Sequence, residues 1–134
     1  MDNNEKFFNL MEKLLNYTQL NDKKCNYKVL YPFLNVTKTE LVKMFLEKGG
    51  EAKDLLYSYT CYEGNEKQCG QCDACIRKFV ALVNNGILSK LDGNAYYENN
   101  PMDCEWVKNI MPEIKSGKYN NCKKESKDFL RVYG

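Results

Sequence analysis

Cys61-Tyr62-Glu63-Gly64-Asn65-Glu66-Lys67-Gln68-Cys69-Gly70-Gln71-Cys72-Asp73-Ala74-Cys75 is the stretch on which the reading of this chain turns. Two C-x-x-C steps overlap at Cys72. Each can bring a pair of thiolates to one ion, because a short turn presents both sulfurs on the same side. Gly70 stands inside the first step, where such a turn often needs a positive φ. Cys61 arrives from the far side of a polar loop and completes a tetrahedron at Zn–S distances of about 2.3 Å. Four thiolates leave no open coordination position, so such a site folds the chain and does no Lewis-acid chemistry. The loop from Glu63 to Gln68 has no apolar residues to order it. A structural zinc, worth on the order of 10 kcal/mol, is enough to do so.

Other readings of the same cysteines compete. An iron–sulfur cluster also takes four thiolates, but no proline follows Cys75 and nothing else in the chain suggests a redox role. Disulfides require an oxidising compartment. A redox C-x-x-C motif fits poorly with three cysteines in a row at this spacing. Zinc ranks first. Cys25, Cys104 and Cys122 stand apart from the cluster and read as buried or idle thiols.

The chain has 134 residues, seven cysteines and no histidine. The missing histidine removes Cys2His2 fingers, catalytic triads and histidine-based metal catalysis. Met1 to Glu5 is polar, without the basic-then-apolar pattern of a secretory signal, and no apolar run nears the ~20 residues that span a bilayer. A cytoplasmic location, reduced thiols and no membrane are expected. Formal net charge is +2, which four ionised cysteines on a divalent ion bring to zero. That balance argues against nucleic acid as a partner. The one local bias runs from Lys115 to Gly134, where Lys115, Lys118, Lys123, Lys124, Lys127 and Arg131 face only Glu125 and Asp128. It reads first as a solvated helix face, and second as an RNA or partner contact.

Outward from the cluster the pattern is helical. Phe7, Phe8, Met11, Leu14 and Leu15 predict an amphipathic helix over about Asn4 to Leu20, broken at Asn21-Asp22. Tyr27 to Tyr31 reads as a short strand or extended segment ended by Pro32. Thr37-Lys38-Thr39-Glu40 is a capping box opening a helix from about Lys38 to Lys48, closed by Gly49-Gly50. Leu55 to Tyr62 has no clear helical period. Ile76, Phe79, Val80 and Val83 predict a helix from Asp73 to Asn84-Asn85-Gly86. Leu91 to Asn100 is turn-rich. Pro101 at N1, capped by Asn100, predicts a helix that buries Trp106, Ile110 and Met111 and stops before Pro112. A last helix is expected from Cys122 to Val132. The fold class is therefore mostly α: a small helical zinc-stapled domain with at most a short strand or hairpin.

Several of these residues together resemble a known family. Cys61-Tyr62 … Cys69-Gly70-Gln71-Cys72-Asp73-Ala74-Cys75, with the lead-in Ser58-Tyr59-Thr60, is similar to the zinc motif of the 7-cyano-7-deazaguanine synthases of queuosine biosynthesis, an ExsB-like branch of the PP-loop enzymes. Upstream, Tyr31-Pro32-Phe33-Leu34 followed by Thr37-Lys38-Thr39-Glu40-Leu41-Val42 matches the apolar-proline and Thr-Lys-x-Glu segments of that family. Downstream, Lys78, with Arg77 beside it, stands where the family carries a basic residue, and Ala81-Leu82 follows at the expected place. The match runs from about Phe7 to Gly86. It implies a synthase-like zinc-binding domain over residues 1–88 and a helical appendage over 89–134. The fold would correspond to the C-terminal part of an α/β enzyme.

The resemblance implies ATP-dependent, ligase-like chemistry in which a carboxylate of 7-carboxy-7-deazaguanine is adenylated and ammonia displaces AMP on the way to the nitrile. That chemistry needs a Ser-Gly-Gly-x-Asp-Ser loop after a strand, so that backbone amides cradle pyrophosphate. These residues hold no such loop: Gly49-Gly50 follows a helix, and Ser116-Gly117-Lys118 lacks the second glycine. The resemblance therefore implies an incomplete enzyme that is not active alone. It would supply the zinc-binding half (Cys61, Cys69, Cys72 and Cys75 on Zn2+) to a separate nucleotide-binding chain that brings ATP. Lys38 is then the candidate catalytic residue, and Thr37, Arg77 and Lys78 are candidate substrate or phosphate contacts. Lysine at a helix N-terminus opposes the macrodipole, which itself favours a functional reason for Lys38. The alternative is a non-catalytic zinc-stapled module for protein interaction, pairing with another chain or with a second copy of itself.

Overall fold

The computed structural model describes residues 4–18, 26–64, 66–119 and 123–134. Cys25 and Cys122 lie outside them. Two compact units divide the chain, residues 1–36 and 37–134.

The first unit is built on α1 (Glu5–Tyr17), which Asn4 caps by accepting from the Phe7 amide at 2.9 Å. The segment expected as a short strand or extended run is extended, and has no strand partner among the described residues. Side chains of α1 take the place of a neighbouring strand. Asn16 accepts from the Tyr27 amide (2.8 Å) and donates to its carbonyl (3.0 Å), while Glu12 accepts from the Val29 amide at 3.0 Å. Phe8 stacks on Tyr31 with ring centroids 5.0 Å apart. No residue of α1 is fully buried, and Leu10 and Leu14 are more than half exposed.

The second unit is organised by α4 (Asp73–Asn84). It follows α2 (Lys38–Glu47) and α3 (Ala52–Tyr57), and precedes α5 (Gly93–Tyr96), a 3-10 turn at Pro101–Asp103, α6 (Glu105–Lys115) and α7 (Lys123–Tyr133). Ile76, Phe79, Val80 and Leu82 of α4 are buried against Val107, Met111 and Ile114 of α6 and Phe129 and Val132 of α7. The expected boundary after Leu88 was one of family resemblance, and packing runs across it: Phe129 and Val132 are wholly buried. The capping box is present in both directions, Glu40 amide to Thr37 Oγ1 (3.2 Å) and Thr37 amide to Glu40 Oε2 (2.9 Å). The fold is mostly α, without a sheet among the described residues. Its β character there is a single parallel bridge between Gln68 and Tyr97. No described helix is long and apolar enough to cross a membrane.

Two helix expectations need correction. Leu55 to Tyr57, the start of the stretch read as lacking a helical period, belong to the short α3 (Ala52–Tyr57). One and a half turns are too few for a period to show. The helix expected to begin at Pro101 and stop before Pro112 instead begins after Cys104 and runs through Pro112 to Lys115. Pro101 opens only the 3-10 turn, with Asn100 Oδ1 accepting from the Met102 amide at 3.0 Å, and extended backbone at Cys104 ends it. Pro112 lies on the exposed face, as does Lys108, whose carbonyl it deprives of a partner. Meanwhile Val107, Met111 and Ile114 continue one buried stripe at i, i+4 and i+7. That burial offsets the lost bond. Trp106 and Ile110, expected inside, are half-buried at the edge of the stripe.

Candidate metal centre

The four cysteines of the cluster converge. The Sγ atoms of Cys61, Cys69, Cys72 and Cys75 all lie within 4.8 Å of one another, and three of the four residues are buried. Cys69 and Cys75 stand 3.9 Å apart, sulfur to sulfur. A zinc tetrathiolate at Zn–S of about 2.3 Å requires S···S of about 3.8 Å, so these residues fit the ion with sub-ångström adjustment.

Local structure explains the convergence. Gly70 adopts φ +73°, which turns the chain so that the amides of Gln71 (3.4 Å) and Cys72 (3.3 Å) both donate to Cys69 Sγ. The amides of Glu63 and Cys69 donate to Cys61 Sγ, each at 3.4 Å. Cys72 is the N-cap of α4 and Cys75 lies in its first turn, at the positive end of the helix. Amide donors aimed at sulfur stabilise thiolate over thiol. Burial opposes ionisation of Cys61, yet the Cys69 and Glu63 amides outweigh it and bring that thiol down to about 6. Burial dominates at Cys69 and at Cys75 and pushes both upward. Neutral thiols are costly to ionise there without a cation, and a divalent ion at the centre supplies the missing charge.

The lead-in to Cys61 is fastened by a residue with no motif of its own. Gln68 is buried, and its Oε1 accepts from both the amide (3.2 Å) and the hydroxyl (3.0 Å) of Thr60. Its Nε2 donates to the Ser58 carbonyl at 3.4 Å. This sets Cys61 opposite Cys69. Cys104 is a further buried thiol outside the cluster, and its Sγ donates to the Gln71 carbonyl at 3.4 Å.

Thr37, Lys38, Arg77 and Lys78 are gathered where α2 begins beside α4. Lys38 and Lys78 line one cavity of about 150 Å3 together with Leu41, Leu55, Ser58 and Thr60. Lys38 also shares a small cleft with Thr37 and Arg77. Their engagements differ. Arg77 pairs with Asp73 and, at 2.5 Å, with Glu125 of α7. Lys78 is 6% exposed, and its Nζ donates to the Ser58 and Leu56 carbonyls at the end of α3. Burial pushes its ammonium down to about 8. Lys38 is in no ion pair among the described residues. Partial desolvation, then the Arg77 charge, holds it below the usual lysine range.

Comparison with known proteins decides the ancestry. The model of the family described as queuosine biosynthesis protein QueC matches residues 1–86. The chain belongs to the QueC family. Among curated relatives, the 7-cyano-7-deazaguanine synthase of Methanosarcina mazei is 38% identical over 90 residues, covering 67% of this chain and 36% of that one. The synthase of Methanocaldococcus jannaschii is 35% identical over 94 residues, 66% of this chain and 39% of that one. The 7-cyano-7-deazaguanine synthase 2 of Sulfurisphaera tokodaii is 35% identical over 98 residues, 73% of this chain and 19% of that one. The chain thus spans well under half the length of these relatives. No solved structure matches it. All four cysteines and all four basic-site residues fall inside the QueC match. Tyr97, Asn99, Asn100 and Cys104, which contact or flank the cysteine turn, fall outside it.

Proposed function

We propose that this chain contributes the zinc-stapled half of a 7-cyano-7-deazaguanine synthase. It would work in the cytoplasm with a nucleotide-binding half that these 134 residues do not contain. The single observation that carries the reading is the convergence of four thiols within 4.8 Å, inside a QueC family match. Zinc is structural here: Cys61, Cys69, Cys72 and Cys75 would hold it, and it would supply fold rather than chemistry. By fixing Cys61 and the start of α4, the centre also fixes Ser58, Thr60 and Lys78 around the cavity that Lys38 borders.

Lys38 is the candidate for contact with a phosphate or carboxylate, as a cation without an ion pair among the described residues at a helix N-terminus. Thr37 would position it through the capping box. Arg77 and Lys78 would act through Lys38 and through the frame, since carboxylates hold one and backbone carbonyls the other. Those same engagements favour the second reading, a zinc-stapled module for protein interaction, because they leave little free positive charge for a substrate. The exposed apolar side chains of Leu10, Leu14 and Phe33 support a protein partner under either reading.

The test is reconstitution. The zinc-loaded chain is mixed with the part of the Methanosarcina mazei synthase that the alignment does not cover, plus ATP, ammonium and 7-carboxy-7-deazaguanine. Nitrile and AMP should form only when both proteins are present, and Lys38→Ala should abolish product while leaving zinc content unchanged. A stable complex without turnover points to the interaction module. No complex and no product contradicts the first reading.

A further inference from the structure

We infer that residues 97–104, beyond the QueC match, form a strap that holds the Cys69–Cys72 turn in its metal-gripping shape, so that metal retention in this chain depends on its C-terminal extension. The inference rests on the zinc reading above.

The strap contacts the turn at every residue from 68 to 71. The Glu98 amide donates to the Gln68 carbonyl at 2.9 Å, and the Asn99 amide donates to the Cys69 carbonyl at 3.2 Å. Asn99 Nδ2 donates to that same carbonyl at 3.0 Å. Gly70 lies so close beneath the strap that a Cβ there would meet the Asn99 oxygen at 2.1 Å. Gln71 Nε2 donates to the Asn100 carbonyl at 3.2 Å, and Cys104 Sγ donates to the Gln71 carbonyl at 3.4 Å.

The strap is itself anchored at both ends. The Tyr97 ring is buried edge-on against Phe79 of α4, with centroids 6.0 Å apart. Tyr133 Oη, at the end of α7, donates to the Pro101 carbonyl at 3.0 Å. A physical path therefore runs from the last helix through the strap to the backbone that presents Cys69 and Cys72. To release its ion the turn must open, and opening breaks bonds made by residues beyond position 86.

The test follows zinc release from the loaded full-length chain to an excess of a chromogenic chelator. Asn99→Ala removes one bond to the Cys69 carbonyl, and Gln71→Ala removes the bond to Asn100. Each should speed release about fivefold, the effect of one hydrogen bond, with the far-ultraviolet circular dichroism unchanged. Lys118→Ala, in the extension but off the strap, should release at the parent rate. Parent rates for both strap variants overturn the inference. If Asn99→Ala does not fold, Gln71→Ala decides. If the parent takes up no zinc, the zinc reading fails, and amide exchange at Glu98 and Asn99 then judges the strap alone. Protection sustains it, and exchange at the free-peptide rate overturns it.

Discussion

The ammonium of Lys78, carried on α4, donates to the main-chain carbonyl of Ser58, the residue that ends α3. It reaches the Leu56 carbonyl as well, at 3.4 Å. Helices leave their last carbonyls without intrahelical partners, and side-chain donors from outside can satisfy them. Lys78 is one such donor, beside Gln68 Nε2 at the Ser58 carbonyl, and the backbone it pins leads into Cys61.

Lys78→Met should therefore destabilise the protein by about 1 kcal/mol, the loss of its hydrogen bonds to these carbonyls, while the Ser58 carbonyl keeps Gln68 Nε2 as a donor. Lys78→Arg, which keeps a donor, should cost less. Urea midpoints of the zinc-loaded variants measure both. A methionine variant as stable as the parent would show that these carbonyls are solvated.

Gly70→Ala combines a left-handed φ of +73° with a clash against the Asn99 carbonyl oxygen. Left-handed backbone costs a non-glycine residue roughly 1–2 kcal/mol before any clash. The alanine variant should lose more than that and bind zinc more weakly, in a thermal melt paired with metal analysis. Gly64→Ala, also at positive φ but with nothing within 4 Å, should cost only the backbone part.

Tyr97→Phe should go the other way. The Tyr97 hydroxyl is buried with no hydrogen-bond partner, while its ring packs on Phe79. Removing an unsatisfied buried hydroxyl while keeping the ring should stabilise by about 1 kcal/mol. A destabilised variant would mean the hydroxyl has found a partner.

Acid should weaken the start of α2. Glu40 Oε1 accepts from Lys124 Nζ at 2.9 Å and its Oε2 accepts from the Thr37 amide, and these contacts, Lys124 first, hold the carboxyl below the usual glutamate value. A carboxyl lowered on folding stabilises above its unfolded value. That contribution fades as pH falls through the unfolded value and is gone below the folded one. The pair is partly exposed, so the effect is small and screened by salt. Urea midpoints between pH 7 and pH 3 should fall less steeply for Glu40→Gln than for the parent, and equal slopes would contradict this.

What could be read from the chain was local. Thr37 and Glu40 are three residues apart and reciprocal, so their box is visible in four letters. The spacing of the four cysteines alone marks them as a candidate metal site. The short α3 and the course of the chain around Pro101 and Pro112 were not legible, because one is too short to show a period and the others are decided by tertiary burial at Cys104, Met111 and Ile114. The roles of Gln68 and Asn99 leave no trace in the sequence for the same reason. Asn99 reaches Cys69 across thirty residues of chain, and no spacing rule connects them. The extended segment at 27–31 was legible as extended but not as a partner of Asn16 and Glu12, since side-chain bonds to backbone leave no alternating pattern.

Native mass spectrometry of the chain, purified without chelator, tests the central claim most directly. One zinc ion per chain is predicted, lost in Cys61→Ser and in Cys72→Ser together with cooperative unfolding. A metal-free protein, or serine variants that keep both the ion and the fold, would contradict it.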